Sequence, residues 1–528
     1  MVICMNNYER MIYNMFVRKN MYTIRLPLEL SKSEERYLSK CFYIGNKIHN
    51  SLVSIARKRI GSLFDDQEYL SARKKYGESG FSKNNRLSKE QKECKKQLSN
   101  LMQGKVSQYK LLSKDLDAYV SVIQKHYKNY ISSHQAQSEV NAVYDGVKKV
   151  LYSDGEKLNF RKCNDYDCIK QKNSTNGVKL LDWSSFRFMK KTFRIKSVPN
   201  TEYMNKIINN VNILDDVVYS FLKRIEFNSR FKYYIIITIR GEAPKTVKIS
   251  DNTARTGIDL GISTIATFSE NNVHLEELAP KSLEYEKQIR HLQKLVDRSM
   301  RINNPNNYNK DGTVKKGKHR WFLTRKCKKI KRKIRVLYKK QSAYIATTHN
   351  AFLNKLMSET SEFILEPMNF KSLQKRYKKT ELSDSTIKIK NKDGTEKEIL
   401  KYKRKKRYGR SIKNRSPGLM QSRLKQKSIQ YSIPLFEIDR NVYCASQFHH
   451  DTGELIKHKL SERTKIISGC DVQRDLYSAF LIANTNDTLT SPDIEKCQRL
   501  FPYFVEMHNK LINDMKKSGL SMKSCFGF

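Results

Sequence analysis

The chain has 528 residues, room for two to four domains at about 150 residues each, and carries 102 Lys plus Arg against 53 Asp plus Glu, a formal net charge of +49. Such an excess opposes compaction by self-repulsion unless a polyanion neutralises it, so the expected partner is nucleic acid rather than a small acidic ligand. No apolar stretch of about 18 residues and no signal peptide is apparent; ten scattered cysteines, with only Cys163 and Cys168 close together, fit reduced thiols. The expectation is a soluble cytoplasmic, nucleoid-associated protein with no membrane partner; the oligomeric state is unspecified.

In chain order, residues 22–28 form a short strand containing Pro27, after which Ser31 and Glu34 have capping-box spacing. Cys41, Gly45, Ile48, Leu52 and Ile55 recur at helical intervals. The pattern predicts a helical region from about 31 to 140, interrupted by the charged stretch 74–85. Lys and Tyr interleave at Tyr109, Lys110, Tyr119, Lys125, Tyr127, Lys128 and Tyr130. These residues suit either a stacking and phosphate-binding face or a tyrosine-rich flank packed on its own core. From Val143 to Ser250 the composition suggests short strands and turns, with a hairpin-type Asp154-Gly155 and a β-branched run at 231–240. The strand at 22–28 could complete this β domain, making the helical region an insertion.

Residues 255–268, R-T-G-I-D-L-G-I-S-T-I-A-T-F, predict a β-hairpin with Asp259 inside its first strand. A buried lone carboxylate costs several kcal/mol unless paired or metal-bound. Local backbone N–H groups could satisfy it, but the flanking Gly257 and Gly261 suggest close approach by another backbone or a ligand. A third strand at 273–278 follows, then an amphipathic helix marked by Tyr285, Ile289, Leu292 and Val296, and a long helix over about 321–357. Between Lys315 and Lys340 there are fourteen Lys or Arg and no acid. A solvated face would mix signs, so Lys315, Lys316, Arg320, Lys328, Lys329, Lys331 and Arg332 are candidate phosphate contacts.

The stretch E-F-I-L-E-P-M, 362–368, reads as a buried strand with Glu366 at its end before Pro367. Residues 381–400 are polar and read as a loop, and 401–415 hold nine basic residues and no acid. Within that run, Tyr402, Lys403, Arg404, Lys405, Lys406, Arg407 and Tyr408 are candidate nucleic-acid contacts, the rings stacking while the cations hold phosphate. A helix at 419–429 and a strand at 434–438 come next. In D-V-Q-R-D-L-Y-S-A, 471–479, Asp475 opens an apolar helix; Asp471 is the competing carboxylate, in a turn after Gly469.

A strand Asp, a strand-end Glu after two helices, and an Asp on a C-terminal helix follow the order of carboxylates in ribonuclease H-like nucleases. G-I-D-L-G-I (257–262), I-L-E-P-M-N (364–369) and Q-R-D-L-Y-S-A (473–479) resemble the three split RuvC motifs of TnpB, the RNA-guided nuclease family of bacterial insertion sequences, ancestral to type V CRISPR effectors. The resemblance covers the chain from Arg255 onward; before that only the order of elements is similar. It implies a multidomain α+β and α/β protein: an N-terminal β-barrel-like wedge domain (1–30 and 143–252) with a helical recognition insertion (31–142), then an RNase H-like (RuvC) nuclease domain (253–368 and 431–528) with a basic insertion (369–430). It further implies a guide RNA and a target DNA, with Asp259, Glu366 and Asp475 as catalytic metal ligands. Acidic oxygens suit hard Mg²⁺, or Mn²⁺, and two such ions serve phosphodiester hydrolysis.

Family members commonly carry a zinc ribbon of two Cys-x-x-Cys pairs before the third motif. This chain has Cys444, His449, His450, His458 and Cys470 there and no Cys-x-x-Cys, so the region 441–470 is degenerate, a hairpin around Asp451–Gly453 is expected in its place, and no zinc is expected. Beside TnpB, the same residues allow a compact type V CRISPR effector, a silent RNA-guided DNA-binding repressor, or a transposase working without RNA.

Overall fold

The computed structural model describes residues 21–78, 88–153, 155–171, 177–197, 201–227, 230–251, 253–374, 382–390, 396–402, 408–439, 442–459, 462–520 and 526–527. Two compact units divide after Pro244.

In the first unit, β1 (Met21–Glu29) is followed by five helices, α1 (Lys32–Asp65), α2 (Gln67–Glu78), α3 (Lys89–Gln108), α4 (Ser113–His126) and α5 (Ser133–Tyr152). The strands β2 (Cys168–Ile169), β3 (Val178–Asp182), β4 (Ser185–Phe188) and β5 (Lys191–Ile195) come next, then α6 (Glu202–Asn210), α7 (Ile213–Asp216), β6 (Val217–Phe227) and β7 (Arg230–Arg240). One seven-stranded sheet, in the order β2-β6-β7-β1-β5-β4-β3, joins the first strand to those after the helices. β1 runs antiparallel to β7 as far as Pro27–Tyr234 and then pairs with β5 through Leu28–Ile195. The change of partner falls at the residue that has no N–H to donate. The two edge strands are tied by one side chain: Gln171, buried, accepts from the Val178 N–H at 2.6 Å and donates back to the Val178 carbonyl at 3.4 Å.

The Ser31–Glu34 capping box closes α1, whose Leu38, Cys41, Phe42 and Leu52 pack in the same core as Ile235 and Ile237 of β7. A buried polar link holds α1 to α5: His49 Nδ1 lies 2.8 Å from Glu139 Oε2, and the Tyr166 hydroxyl donates to Glu139 Oε1 at 2.8 Å. One open alternative is decided here and one sequence expectation changes. The tyrosines Tyr109, Tyr119, Tyr127 and Tyr130 pack against this core, with the Tyr109 hydroxyl on Asp66 and that of Tyr119 on Ser51, so core packing accounts for them. Residues 143–152 are helix, not strand: Val140, Val143, Val147, Val150 and Leu151 form the buried stripe of α5, and tertiary burial on a helical period overrides their β-branched preference. The Gly155 N–H bonds the Lys149 carbonyl at 3.1 Å and ends that helix; Asp154 lies outside the described residues.

The second unit is built on β8 (Ala254–Leu260), β9 (Thr264–Phe268), β10 (Val273–Glu277), β11 (Thr360–Leu365) and β14 (Leu435–Glu437), in the order β10-β9-β8-β11-β14. The first three strands are an antiparallel meander; β11 and β14 run parallel to β8. Between β10 and β11 come α8 (Ser282–Asn303) and α9 (Arg325–Glu359). Helix α9 begins at Arg325 rather than near 321, because the Thr324 hydroxyl accepts from the Cys327 N–H and caps it. Its second half buries Ile345, Phe352, Leu353, Leu356 and Met357. After β11 come α10 (Phe370–Leu373), the strands β12 (Leu382–Lys390) and β13 (Glu396–Tyr402), α11 (Gly409–Arg415) and α12 (Pro417–Tyr431). The stretch expected as a loop at 381–400 is thus largely a hairpin: Thr386 and Ile387 face Leu400 and Ile399, and the Thr386 hydroxyl bonds Glu398 at 3.0 Å. Polar alternation permits a two-stranded ribbon, which needs no buried face to pair its backbone. The chain ends with the β15 (Thr464–Ile467) and β16 (Cys470–Gln473) pair, α13 (Arg474–Ala483) and α14 (Ile494–Lys517).

The central sheet separates two cores by strand alternation. Ile258, Leu260, Ile265, Phe363 and Leu365 face Phe352, Leu353, Leu356 and Met420. Ala266, Phe268 and Ile364 face Ala479, Phe480, Ala483, Phe501 and Phe504. The whole is a mixed α+β multidomain architecture with separate sheets, consistent with a ribonuclease H-like fold family in general. Among the described residues no helix is long and apolar enough to cross a membrane.

Candidate functional site

Parallel pairing of β8 and β11 decides where the first two carboxylates meet. Their register runs through Gly257–Ile364 to Ile258–Leu365, and the Glu366 N–H reaches the Ile258 carbonyl at 3.5 Å. Asp259 and Glu366 are therefore the next residues on adjacent strands, 107 positions apart in sequence (366 − 259). Alternation turns both toward the face already occupied by Gly257 and Ile364. Asp259 is partly exposed, whereas Glu366 is only 8% exposed, with the Cys444 thiol 4.0 Å from Oε1.

Helix α13 covers that same face. A Cβ at Gly257 would stand 2.3 Å from both the Ala479 carbonyl oxygen and the Ala483 nitrogen, so only glycine lets the helix backbone touch the strand. Asp475 lies one turn before Ala479 and Asp259 two residues after Gly257, which places both carboxylates beyond the same contact. The Thr264 hydroxyl, on β9 beside the end of β8, donates to Asp475 Oδ2 at 3.4 Å, and Asp475 is also 8% exposed. Asp471, the competing carboxylate, sits on β16 opposite Ile466 and is exposed.

Cations that motif reasoning passed over stand around these acids. Arg474 donates to Asp475 Oδ1 through Nε at 3.2 Å and Nη2 at 3.1 Å, while its Nη1 is held by the Glu462 carbonyl at 3.0 Å. Arg463 Nη1 lies 3.8 Å from Asp475 Oδ2. Lys465 is 3% exposed, on the inward side of β15. Burial pulls its ammonium down to about 8, Arg474 adds to the pull, and Cys444, Asp475 and Asp259 draw it back up. The signal for Lys465 was the alternation of T-K-I-I, which puts Lys465 on the same side as Ile467.

The donor set is all carboxylate, two members being more than nine-tenths buried, and such oxygens suit a hard divalent cation. Their side chains do not converge as a trio: among the described residues no group of three or more His, Cys, Asp or Glu is placed to hold a metal. The degenerate ribbon region is dispersed too. Around Gly453 the His449 N–H bonds the Glu454 carbonyl at 3.0 Å and Phe448 bridges Leu455. His449 and His458 stack with Nε2 atoms 3.0 Å apart, and Glu462 lies 3.3 Å from His458 Nδ1. His450 Nδ1 is 2.8 Å from the buried Tyr477 hydroxyl. Cys470 pairs across β15–β16 with Ile467.

Among the basic candidates, Lys315, Lys316 and Arg320 are exposed in the segment before α9, and Lys328, Lys329 and Arg332 are exposed on that helix with Lys331 half-buried. Tyr402 ends β13, and Tyr408, 44% exposed, directly precedes α11. Lys403, Arg404, Lys405, Lys406 and Arg407 lie outside the described residues.

No protein-family model matches the chain, and no curated protein does. Solved structures are similar at a low level, among them two. The first, a chain of a Cas12f1–sgRNA–target DNA complex, is 13% identical with a TM-score of 0.41, over 88% of this chain and 99% of that one. The second, from a CRISPR-Cas12f ternary complex, is 13% identical with a TM-score of 0.24, over 89% and 100%. At TM-scores below 0.5 these likenesses carry no weight beside the residues themselves.

Proposed function

We propose that the chain is an RNA-guided DNA endonuclease of the TnpB type, with Asp259, Glu366 and Asp475 as its catalytic carboxylates. The observation that carries this is the meeting of Asp259 and Glu366 at the ends of adjacent parallel strands under the helix that bears Asp475. Carboxylates at the end of the β8–β11 pair and on the helix that covers it, on a chain of net charge +49, suit chemistry on a polyanion, since the cations collect phosphate and the carboxylates repel it unless a metal intervenes. Asp259, Glu366 and Asp475 would hold the ions, two Mg²⁺ or Mn²⁺, which activate water and stabilise the leaving oxygen when bound. Arg474 and Arg463, beside Asp475, are the cations that would offer positive charge to a phosphate held at the site.

The test begins with sequencing of RNA that copurifies with the chain, then assays DNA complementary to it. Asp259→Ala, Glu366→Ala and Asp475→Ala should each abolish cutting while guided binding persists, because affinity resides in Lys and Arg contacts to phosphate. Near-normal cutting by any one removes that residue from the site. A guide copied from a CRISPR array would make the chain a compact type V effector, and absence of RNA would favour a transposase. A second reading, guided binding without cutting, is favoured by the Arg474–Asp475 ion pair; it predicts that the wild type binds target DNA and leaves it intact in Mg²⁺ or Mn²⁺.

A further inference from the structure

The segment between α8 and α9 is a loop closed by its own side chains. Asn304, buried directly after α8, grips Phe322 at both backbone groups: it accepts from the Phe322 N–H at 2.6 Å and donates to the Phe322 carbonyl at 3.0 Å. The Arg301 side chain holds the Gly312 carbonyl at 2.9 Å, and Asn307 donates to the Arg320 carbonyl at 3.0 Å. Asn309 and Asp311 both bond the Thr313 hydroxyl, and His319 Nε2 lies 2.7 Å from the Lys315 carbonyl. Trp321 meets Tyr308 and His319 edge to face, with the Arg301 guanidinium over the Tyr308 ring. With these groups engaged inside the loop, much of what faces solvent is cationic or apolar. Lys315, Lys316, Lys318 and Arg320 are exposed, as are Val314 and, at 63%, Phe322. A lone exposed Phe is ordinary. One whose backbone is clamped at both ends among four cations is a preformed surface for stacking beside phosphate ligands.

We propose that this loop is a binding site for single-stranded DNA, in which the Phe322 ring stacks on an unpaired base while Lys315, Lys316, Lys318 and Arg320 hold the flanking phosphates. Only an unpaired strand offers a base face to a ring on the protein surface, and every base has such a face, so no sequence preference is expected. An RNA strand would bring 2′-hydroxyls that seek polar partners. The Asn, Asp and His groups that could serve them are bonded within the loop, and the exposed Val314 suits a deoxyribose. The site is separate from the carboxylates and does not presuppose that they cut DNA.

The experiment follows binding of a short oligodeoxyuridylate to the RNA-free full chain by fluorescence anisotropy, in EDTA so that no metal-dependent cutting intervenes. The matching oligouridylate, which differs only by its 2′-hydroxyls, is the comparison. Phe322→Ala should weaken DNA binding about tenfold, leave the salt slope unchanged and cost the RNA less; Phe322→Tyr should bind as the wild type does. Replacing Lys315 and Lys316 by Gln should lower the log–log salt slope by about 0.7 for each phosphate released. A 5-iodouracil placed in the DNA should cross-link to Phe322 in the wild-type chain on irradiation, a readout that a ring with a purely structural role would not give and that needs no variant to fold. Unchanged DNA affinity in Phe322→Ala overturns the site, and so do cross-links that bypass Phe322. An equal or larger loss on the RNA overturns the assignment to DNA. None of these results bears on the carboxylates, whose role is tested by cutting in Mg²⁺.

Discussion

His349 shows how much a single buried group decides. It lies on α9 at 1% exposure, and neither ring nitrogen makes a well-formed hydrogen bond. Burial pulls its pKa down to about 4, the Arg423 guanidinium adding to the shift and the Arg415 backbone offsetting it slightly. The folded protein therefore holds the neutral ring, while the unfolded chain takes up a proton near the ordinary 6.5. Stability from this group is fully present above pH 6.5 and is lost as pH falls toward 4, by about 3 kcal/mol at most. Denaturant unfolding between pH 7 and pH 4 should show that loss in the wild type and a smaller one in His349→Leu. Equal slopes would mean that the ring is protonated where it stands.

At the scale of elements, the contact of α13 with β8 makes Gly257 the hinge of the candidate site. Gly257→Ala places a methyl against backbone atoms that cannot rotate away, so helix and strand must separate. Overpacking of this kind costs about 1–3 kcal/mol, and the upper end is expected. Cutting should fall with it although no carboxylate is changed, because Asp259 and Asp475 are carried apart; a stable, active Gly257→Ala would show that the helix does not touch the strand. Helix α9 divides its labour along its length, with an exposed basic first half and an apolar second half buried on the sheet. Replacing Lys328, Lys329 and Arg332 by Gln should leave unfolding within about 0.5 kcal/mol and lower the log–log salt slope of DNA binding by about 0.9 for each phosphate no longer neutralised. An unchanged slope would leave these residues as a solvated face.

For the molecule as a whole, charge is expected to separate two tasks. The run Lys403, Arg404, Lys405, Lys406 and Arg407 falls between Glu366 and Asp475 in sequence, and Tyr408 beside it is exposed. Neutralising the five should reduce cutting more than guide RNA binding, which is expected to depend mainly on the N-terminal half, and should flatten the salt dependence of DNA binding. Parallel binding and cleavage titrations measure both; losses of equal size would assign the run to guide binding instead.

Local chemistry determined a good deal unaided. The Ser31–Glu34 spacing marked the start of α1, a β-branched run marked β7, and a carboxylate inside G-I-D-L-G marked Asp259, because caps, strand propensity and burial cost all act within a few residues. The net charge of +49 pointed to a polyanion as the expected partner. Only tertiary structure brought Asp259 beside Glu366, since parallel pairing needs a long crossover whose register no local pattern encodes. It likewise turned Asp471 outward and buried Asp475, made α5 a helix despite its valines, and drew Lys465 out of water. Burial and long-range pairing are properties of the packed chain, and a residue's neighbours in sequence carry little record of them.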